Sequence, residues 1–397
     1  MVQQITLNSL RLHSFKKQSD VELDLNPEVN EIYGRNGSGK TTIADAIAFA
    51  FTGTDFWGRK INGLGKCGAS WVEVNGAING VEKEFRRLVE YKDGSAHTVV
   101  ANDFEVDKQV FLSVINPRYF CNLSAGDAKR VIMGCAGDID GSETLYPQHE
   151  KMLLEIYDNA ISSKDNGESM DSGPIIDVWD GIEAYRKKIS KMAKDFDEQK
   201  NIEEGKYQAF MNAIDIDGID DSAKDVLGKK ALDAQKAAVD AGDNRDAMRK
   251  ILKRIDTYRS ILTEIALDAI KDRLDDVEIV LDDNGKDVFS VQYHGVDFKT
   301  LSNAEQLKVG LEIANVLAGA YDVNYPCIID NAECIQDKNL EKYNNLNQFV
   351  VLSVADCEIS SYSVESNELI GLKTRDILVR PKEELVVDTI FLGGWGG

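Results

Sequence analysis

The residue types best suited to chemistry cluster in one run, EIYGRNGSGKTT at 31–42. Within it Gly34, Arg35, Asn36, Gly37, Ser38, Gly39, Lys40 and Thr41 fit G-x-x-x-x-G-K-[ST] in full, the phosphate-binding P-loop. The three glycines let backbone N–H groups turn toward an anion with no Cβ in the way. Lys40 can reach the β- and γ-phosphates, Thr41 offers a hydroxyl to Mg²⁺, and Thr42 follows at the start of a helix. A second chemical cluster lies far along the chain, where the apolar run 325–329 ends in Asp330-Asn331-Ala332-Glu333. An aspartate at such a strand end suits the Mg²⁺ shell of a nucleotide site, so Asp330 is expected there. Between the two, LSNAEQ at 301–306 precedes an apolar periodic stretch. Ser302 and Glu305 make an S-x-x-E capping box, which is either a well-started helix or an anion site at a helix N-terminus.

The elements that position these residues follow from pattern. Residues 29–33 read as a strand and 42–51 as a helix, so strand, glycine loop and helix stand in the order a P-loop needs. Upstream, 5–12 and 21–25 alternate as half-buried strands, and 71–74 with 81–89 continue that layer. Lys16 and Lys17, between the first two, could touch ribose, base or nucleic acid. The apolar run 111–117, ended by Asn-Pro, reads as a strand running into a turn, and 124–135 as a helix. Residues 151–176 are polar and read as a surface loop.

Two heptad-like segments come next. Ile182, Tyr185, Ile189, Met192 and Phe196 are spaced 3-4-3-4, and Met248, Ile251, Ile255, Tyr258, Leu262, Ile265 and Ala269 repeat the alternation. AIDIDGIDD at 213–221 separates them as a tip. The expectation is an antiparallel hairpin with arms of about 35 residues, roughly 50 Å long; a helical subdomain lying flat has the same periodicity. A turn centred near Asp217 sets Arg186 across from Met248. The cluster Arg186, Lys187, Lys188, Lys191 and Lys194 then meets Arg249, Lys250, Lys253 and Arg254 within a few turns. Such paired clusters are either solvated helix faces or a salt-sensitive phosphate contact. Residues 277–281 and 288–293 look like a β-hairpin turning at Asn284-Gly285, and 349–353 like a buried strand.

The chain of 397 residues carries a formal charge of −22, which argues against a general polyanion-binding surface, so nucleic-acid contact has to be local. Its 43% apolar share supports an ordinary core. Six cysteines show no C-x-x-C pair, which fits a reducing cytoplasm, and no run approaches the ~18 apolar residues of a membrane span. The fold class is α/β, a P-loop head split by a helical insertion. The expected divisions are an N-terminal lobe at 1–150, the loop at 151–176, the hairpin at 177–275, a C-terminal lobe at 276–358 and an extension at 359–397.

The order GRNGSGKTT, helical insertion, LSNAEQ and CIIDNAE resembles the ABC-type ATPases of the SMC, RecF, RecN and SbcC group. It is most similar to short SMC-like ATPases carried by phages and prophages. The resemblance covers about residues 1–135 and 270–358. It implies an ATP- and Mg²⁺-dependent homodimer, with residues 34–42 of one head facing Ser302 of the other. Asn116 falls at the family's Q-loop position, a Mg²⁺ and water contact. DNA is expected on the engaged heads near the hairpin roots, in repair, recombination or phage genome maintenance. Three departures stand out: Asn303 and Ala304 replace the usual glycines, Asn331 occupies the usual catalytic glutamate position, and no histidine follows His294. Slow turnover follows, with Glu333 either polarising the attacking water in the neighbour's place or serving only the head–head contact. The competing expectation is an ATP-gated switch whose hairpin docks a nuclease or host protein rather than DNA.

Overall fold

The computed structural model describes residues 3–16, 18–64, 69–92, 95–101, 105–136, 138–140, 172–282, 288–334, 340–354 and 378–381. Of the loop expected at 151–176, residues 151–171 lie outside them, as do the Asn284-Gly285 turn, Lys17 and most of the C-terminal extension; 172–174 form a strand and a helix starts at Ile175, not loop. The chain divides into two compact units, 1–131 with 268–281 and 287–397, and 132–267 with 282–286.

Among the described residues the first unit contains three sheets, the smallest made of β9 (Val277–Asp282), β10 (Val288–Tyr293) and β11 (Val296–Asp297), where the β-hairpin was expected. The largest runs β12-β1-β4-β5-β6, with β2 also on β1: β1 is Gln3–Phe15, β2 Gln18–Asp24, β4 Ser70–Ile78, β5 Val81–Lys92, β6 Ser95–Ala101 and β12 Val323–Asn324. Alternation in β1 buries Ile5, Leu7, Leu10 and Leu12, while Arg11 and His13 stay on the outer face. There Arg11 faces Glu22 and Glu73 on its two neighbours, and Glu73 faces Arg86, so charges alternate across four strands. Gly76 sits beside the bulge between Leu7 and Ser9, where a Cβ would lie 2.3 Å from the Thr6 carbonyl oxygen.

The third sheet holds β3 (Val29–Gly34), β13 (Cys327–Asp330), β14 (Phe349–Val354) and β15 (Leu378–Pro381) in the order β13-β14-β3-β15. The first three are parallel, and the edge strand β15 runs antiparallel. Ile328, Ile329, Val350, Val351 and Ile32 are buried, as strands covered on both faces require. Parallel order brings the carboxyl ends of β3 and β13 to the same edge, where ligands of open α/β sheets sit. Helix α1 (Lys40–Thr52) follows β3 and buries Ile43, Ile47 and Phe51.

Residues 108–115 form a helix, α2 (Lys108–Ile115), which corrects the expected strand. Asp107 caps it by accepting from the N–H groups of Gln109 and Val110 at 2.9 and 3.0 Å. Short apolar runs have no periodicity to separate strand from helix when all sides are buried, and the cap decides here. α3 (Ala125–Gly134) matches the helix expected at 124–135.

The second unit pairs β7 (Asp138–Asp140) antiparallel with β8 (Ser172–Pro174) and carries most of the long helices α4 (Ile175–Ile214) and α5 (Asp221–Lys271), joined through a short turn. At 40 and 51 residues they run longer than the expected arms, and α4 starts two residues before the expected boundary. Register is set by Glu183 with Arg259, Arg186 with Asp256, and Asp197 with Arg245, at 2.5, 2.7 and 3.0 Å. Arg186 therefore stands across from Asp256, not Met248. The first turns of α5 reach past the end of α4, so the turn is not the centre of the hairpin. Ile182, Ile189, Ile255, Tyr258 and Leu262 fill the inner core, while Ala231, Ala234, Ala238 and Ala241 line the outer stretch. Arg259 is buried beneath Trp179, 5.2 Å from the ring, with Glu183 and Asp256 as its acids.

Candidate functional site: a P-loop beside two carboxylates

The P-loop leaves β3 at Gly34 and enters α1 at Lys40. Gly37 and Gly39 have φ of 83° and 107°, the left-handed region that favours glycine. A Cβ at Gly37 would meet nothing within 4 Å, so the demand there is conformational, not steric. Thr42 and Ile43 close the first turn onto the Gly39 carbonyl at 2.9 and 3.3 Å. Arg35, Asn36 and Gly37 are exposed, with Ser38 and Gly39 half-buried. Lys40 is buried, and its ammonium donates to the carbonyls of Gly34 and Arg35 at 2.6 and 2.9 Å, so it spans the loop. Burial lowers its pKa, and the nearby Asp330 and Glu333 carboxylates oppose that shift.

Across the edge, Thr41 Oγ1 donates to Asp330 Oδ2 at 3.0 Å. Burial raises the Asp330 pKa, partly countered by the Thr41 hydroxyl, the Asn331 N–H and the Lys40 charge. Asn331 takes φ 60°, turning the chain sharply after β13. That turn carries Glu333 into a 3₁₀ segment, Ala332–Cys334, where it is exposed and accepts from the Val354 N–H at 3.2 Å. Lys40, Thr41, Asp330 and Glu333, drawn from both ends of the sequence, thus share one edge. The loop conformation, the hydroxyl and the two carboxylates fit a triphosphate with Mg²⁺.

Ser302 N-caps α6 (Asn303–Ala320). Its hydroxyl and its N–H both donate to Glu305 Oε2, at 2.7 and 2.9 Å, while the Glu305 N–H donates back to the hydroxyl at 3.3 Å. These bonds hold the Glu305 carboxyl below its usual range. Among the described residues, Ser302 shares no hydrogen bond with the P-loop of its own chain.

Asn116 stands at the C-terminal end of α2. It is buried, its amide donates to the Phe56 carbonyl at 2.8 Å, and its oxygen accepts from the Arg118 N–H at 3.0 Å. Both ends of the amide meet backbone, so it fixes the end of α2. Arg118, which sequence reasoning missed, donates to the Asn303 carbonyl at 3.2 Å and lies close enough to Asp330 to lower its pKa. Lys16 is tied to the buried Asp45 of α1. In the hairpin, Lys187, Lys188, Lys191, Arg249, Lys250, Lys253 and Arg254 are exposed on one stretch. Arg186 is engaged by Asp256, and Arg249 lies 3.9 Å from Asp246.

The sequence matches the AAA_23 family, described as an AAA domain, over residues 9–309. The chain belongs to that family. Among its relatives, the DNA replication and repair protein RecF of Salinibacter ruber is 30% identical over 103 residues, 26% of this chain and 25% of the relative. The same protein of Psychromonas ingrahamii is 40% identical over 52 residues, 13% and 14% of the two chains. The chain spans a quarter or less of the length of these two relatives. The resemblance to SMC- and RecF-like ABC-type ATPases is thus borne out. Two solved structures are also similar. One is an Smc head domain with an extended coiled coil bound to the C-terminal domain of ScpA, from Pyrococcus furiosus (TM-score 0.45, 12% identity, 96% of this chain and 98% of that one). The other is the recombination mediator protein RecF with ATP (TM-score 0.40, 12% identity, 90% and 95%).

Proposed function

We propose that this AAA_23 member binds ATP with Mg²⁺ at residues 34–42, pairs head to tail with a second copy across it, and hydrolyses it slowly. The observation that carries the reading is the Thr41–Asp330 contact at 3.0 Å beside Lys40, which supports a Mg²⁺ site and a phosphate-binding lysine at one sheet edge. Ser302 completes the site from the other copy. Asn331 leaves the position after Asp330 without a carboxylate, and Glu333 polarises the attacking water instead. Pairing is coupled to duplex DNA through the exposed lysines and arginines of the hairpin, in repair, recombination or phage genome maintenance. Sizing the protein alone, with ATP and Mg²⁺, and then with duplex DNA tests this. A dimer that needs both ATP and Mg²⁺ is expected, and a monomer under every condition overturns it.

A second reading is favoured by the ion pairs of Arg186 and Arg249 and by the charge of −22. In it the same ATP-driven pairing docks a nuclease or host protein on the hairpin, without DNA. Reversing Arg249, Lys250, Lys253 and Arg254 to glutamate separates the two. Loss of low-salt DNA binding supports the first reading, an affinity unchanged by the reversal removes it, and no DNA binding by the unmutated chain supports the second.

A further inference from the structure

Apart from the P-loop, the first unit holds a cleft of about 640 Å³ formed by three segments: the loop after α1, the stretch between α2 and α3, and the start of α6. Its volume falls within the ~300–1,000 Å³ of small-molecule sites. Its walls are held by close backbone approach. A Cβ on Gly310 of α6 would lie 2.0 Å from the Pro117 carbonyl oxygen, and one on Gly58 would lie 2.7 Å from the Tyr119 hydroxyl. Tyr119 is itself fixed by donating to Gln109 at 2.7 Å. The shape therefore exists before any ligand arrives.

Its lining is cationic in a chain of charge −22: Arg59, Arg118 and Lys299 stand against Asp127 alone. Arg59 is held by Asp55 at 3.0 Å, and Asp127 is occupied by Ser124 and Gln109 at 2.7 and 3.2 Å. Lys299, and Arg118 beyond its longer-range pull on Asp330, are left to act on a ligand. Arg118 uses one terminal nitrogen on the Asn303 carbonyl, and its Nε is buried with no hydrogen-bond partner among the described residues. Trp57 adds a large aromatic surface to the same lining. The cation pair and the indole together match one ligand chemistry, a phosphate joined to a planar base.

We propose that this cleft is a second site, separate from the P-loop, for a nucleoside monophosphate unit. The phosphate sits on Arg118 and Lys299 and the base against Trp57. The unit comes either as a free nucleotide or as the phosphorylated end of a single strand. The test uses the full chain carrying Lys40→Ala, which disables the P-loop, titrated with AMP and separately with a 5′-phosphorylated oligothymidylate. Saturable binding of either probe is expected: AMP alone marks a free nucleotide, and tighter oligonucleotide binding marks a strand end. In the same background Lys299→Glu, on an exposed side chain, and Trp57→Leu are each expected to weaken binding by about tenfold. Absence of binding by both probes overturns the site, as does unchanged affinity in both variants with unchanged circular dichroism. The part of ATP binding that is lost on Lys40→Ala, measured in parallel, reports on the P-loop, so the two sites fail separately.

Discussion

Gly310→Ala tests how α6, and with it Ser302, is positioned. The added Cβ would lie 2.0 Å from the Pro117 carbonyl oxygen and 2.6 Å from its carbon. Ordinary C···O contacts run at ~3.3–3.6 Å, so helix or loop has to retreat by more than about 1 Å. Overpacking of this kind costs about 1–3 kcal/mol, and the better helix propensity of alanine returns about 1 kcal/mol. Both atoms struck are backbone, which cannot rotate away, so a net loss of about 2 kcal/mol is expected. For a unit of this size that lowers the melting temperature by about 4–8 °C. Gly205→Ala in α4 is the control, because a Cβ there meets nothing within 4 Å and the residue is exposed. It should gain up to about 1 kcal/mol. Scanning calorimetry with circular dichroism reads both. Retreat of α6 also draws Asn303 from Arg118, so ATP-dependent pairing should weaken while ATP binding persists. A Gly310→Ala protein that melts at or above the unmutated chain would refute the close approach.

Other outcomes follow from the same geometry. Because burial raises the Asp330 pKa, Mg²⁺ competes with a proton there at higher pH than at an ordinary carboxylate. Mg²⁺-dependent nucleotide affinity should fall as pH drops through that raised pKa, and Asp330→Asn, measured by calorimetric titration, should flatten the dependence. Glu333→Gln is expected to leave ATP binding intact and to slow hydrolysis at least about tenfold; a normal rate in a phosphate-release assay assigns Glu333 to the loop alone. Arg259→Ala leaves Glu183 without its cation inside the hairpin and uncovers Trp179, costing about 1–3 kcal/mol in urea unfolding.

Much of the site was legible because its residues carry local rules. The P-loop, the Ser302–Glu305 cap and the strands of β1, β3, β13 and β14 announce themselves through glycine spacing, a hydroxyl three residues from a carboxylate, and apolar pattern. What was missed depends on tertiary contact. Residues 111–115 are buried on every side, so the apolar run looked like a strand; Asp107 just ahead of α2 was the available signal for a helix. β6 has no buried residue to set its alternation, so SAHTVVA gave no strand pattern. The hairpin register slipped because a turn sequence marks where the chain reverses but not how far one helix overshoots the other. Arg118 looks like any loop arginine until α6 brings Asn303 to it.

The central claim is that one copy supplies the P-loop and its mate supplies Ser302. Lys40→Ala and Ser302→Arg chains should each fail to hydrolyse ATP, with Ser302→Arg still binding it. Mixed in equal amounts, they should recover about a quarter of the normal rate, since half the dimers are mixed and each of those has one intact composite site of two. A mixture as inactive as its components, though both chains fold and pair, would contradict the shared site.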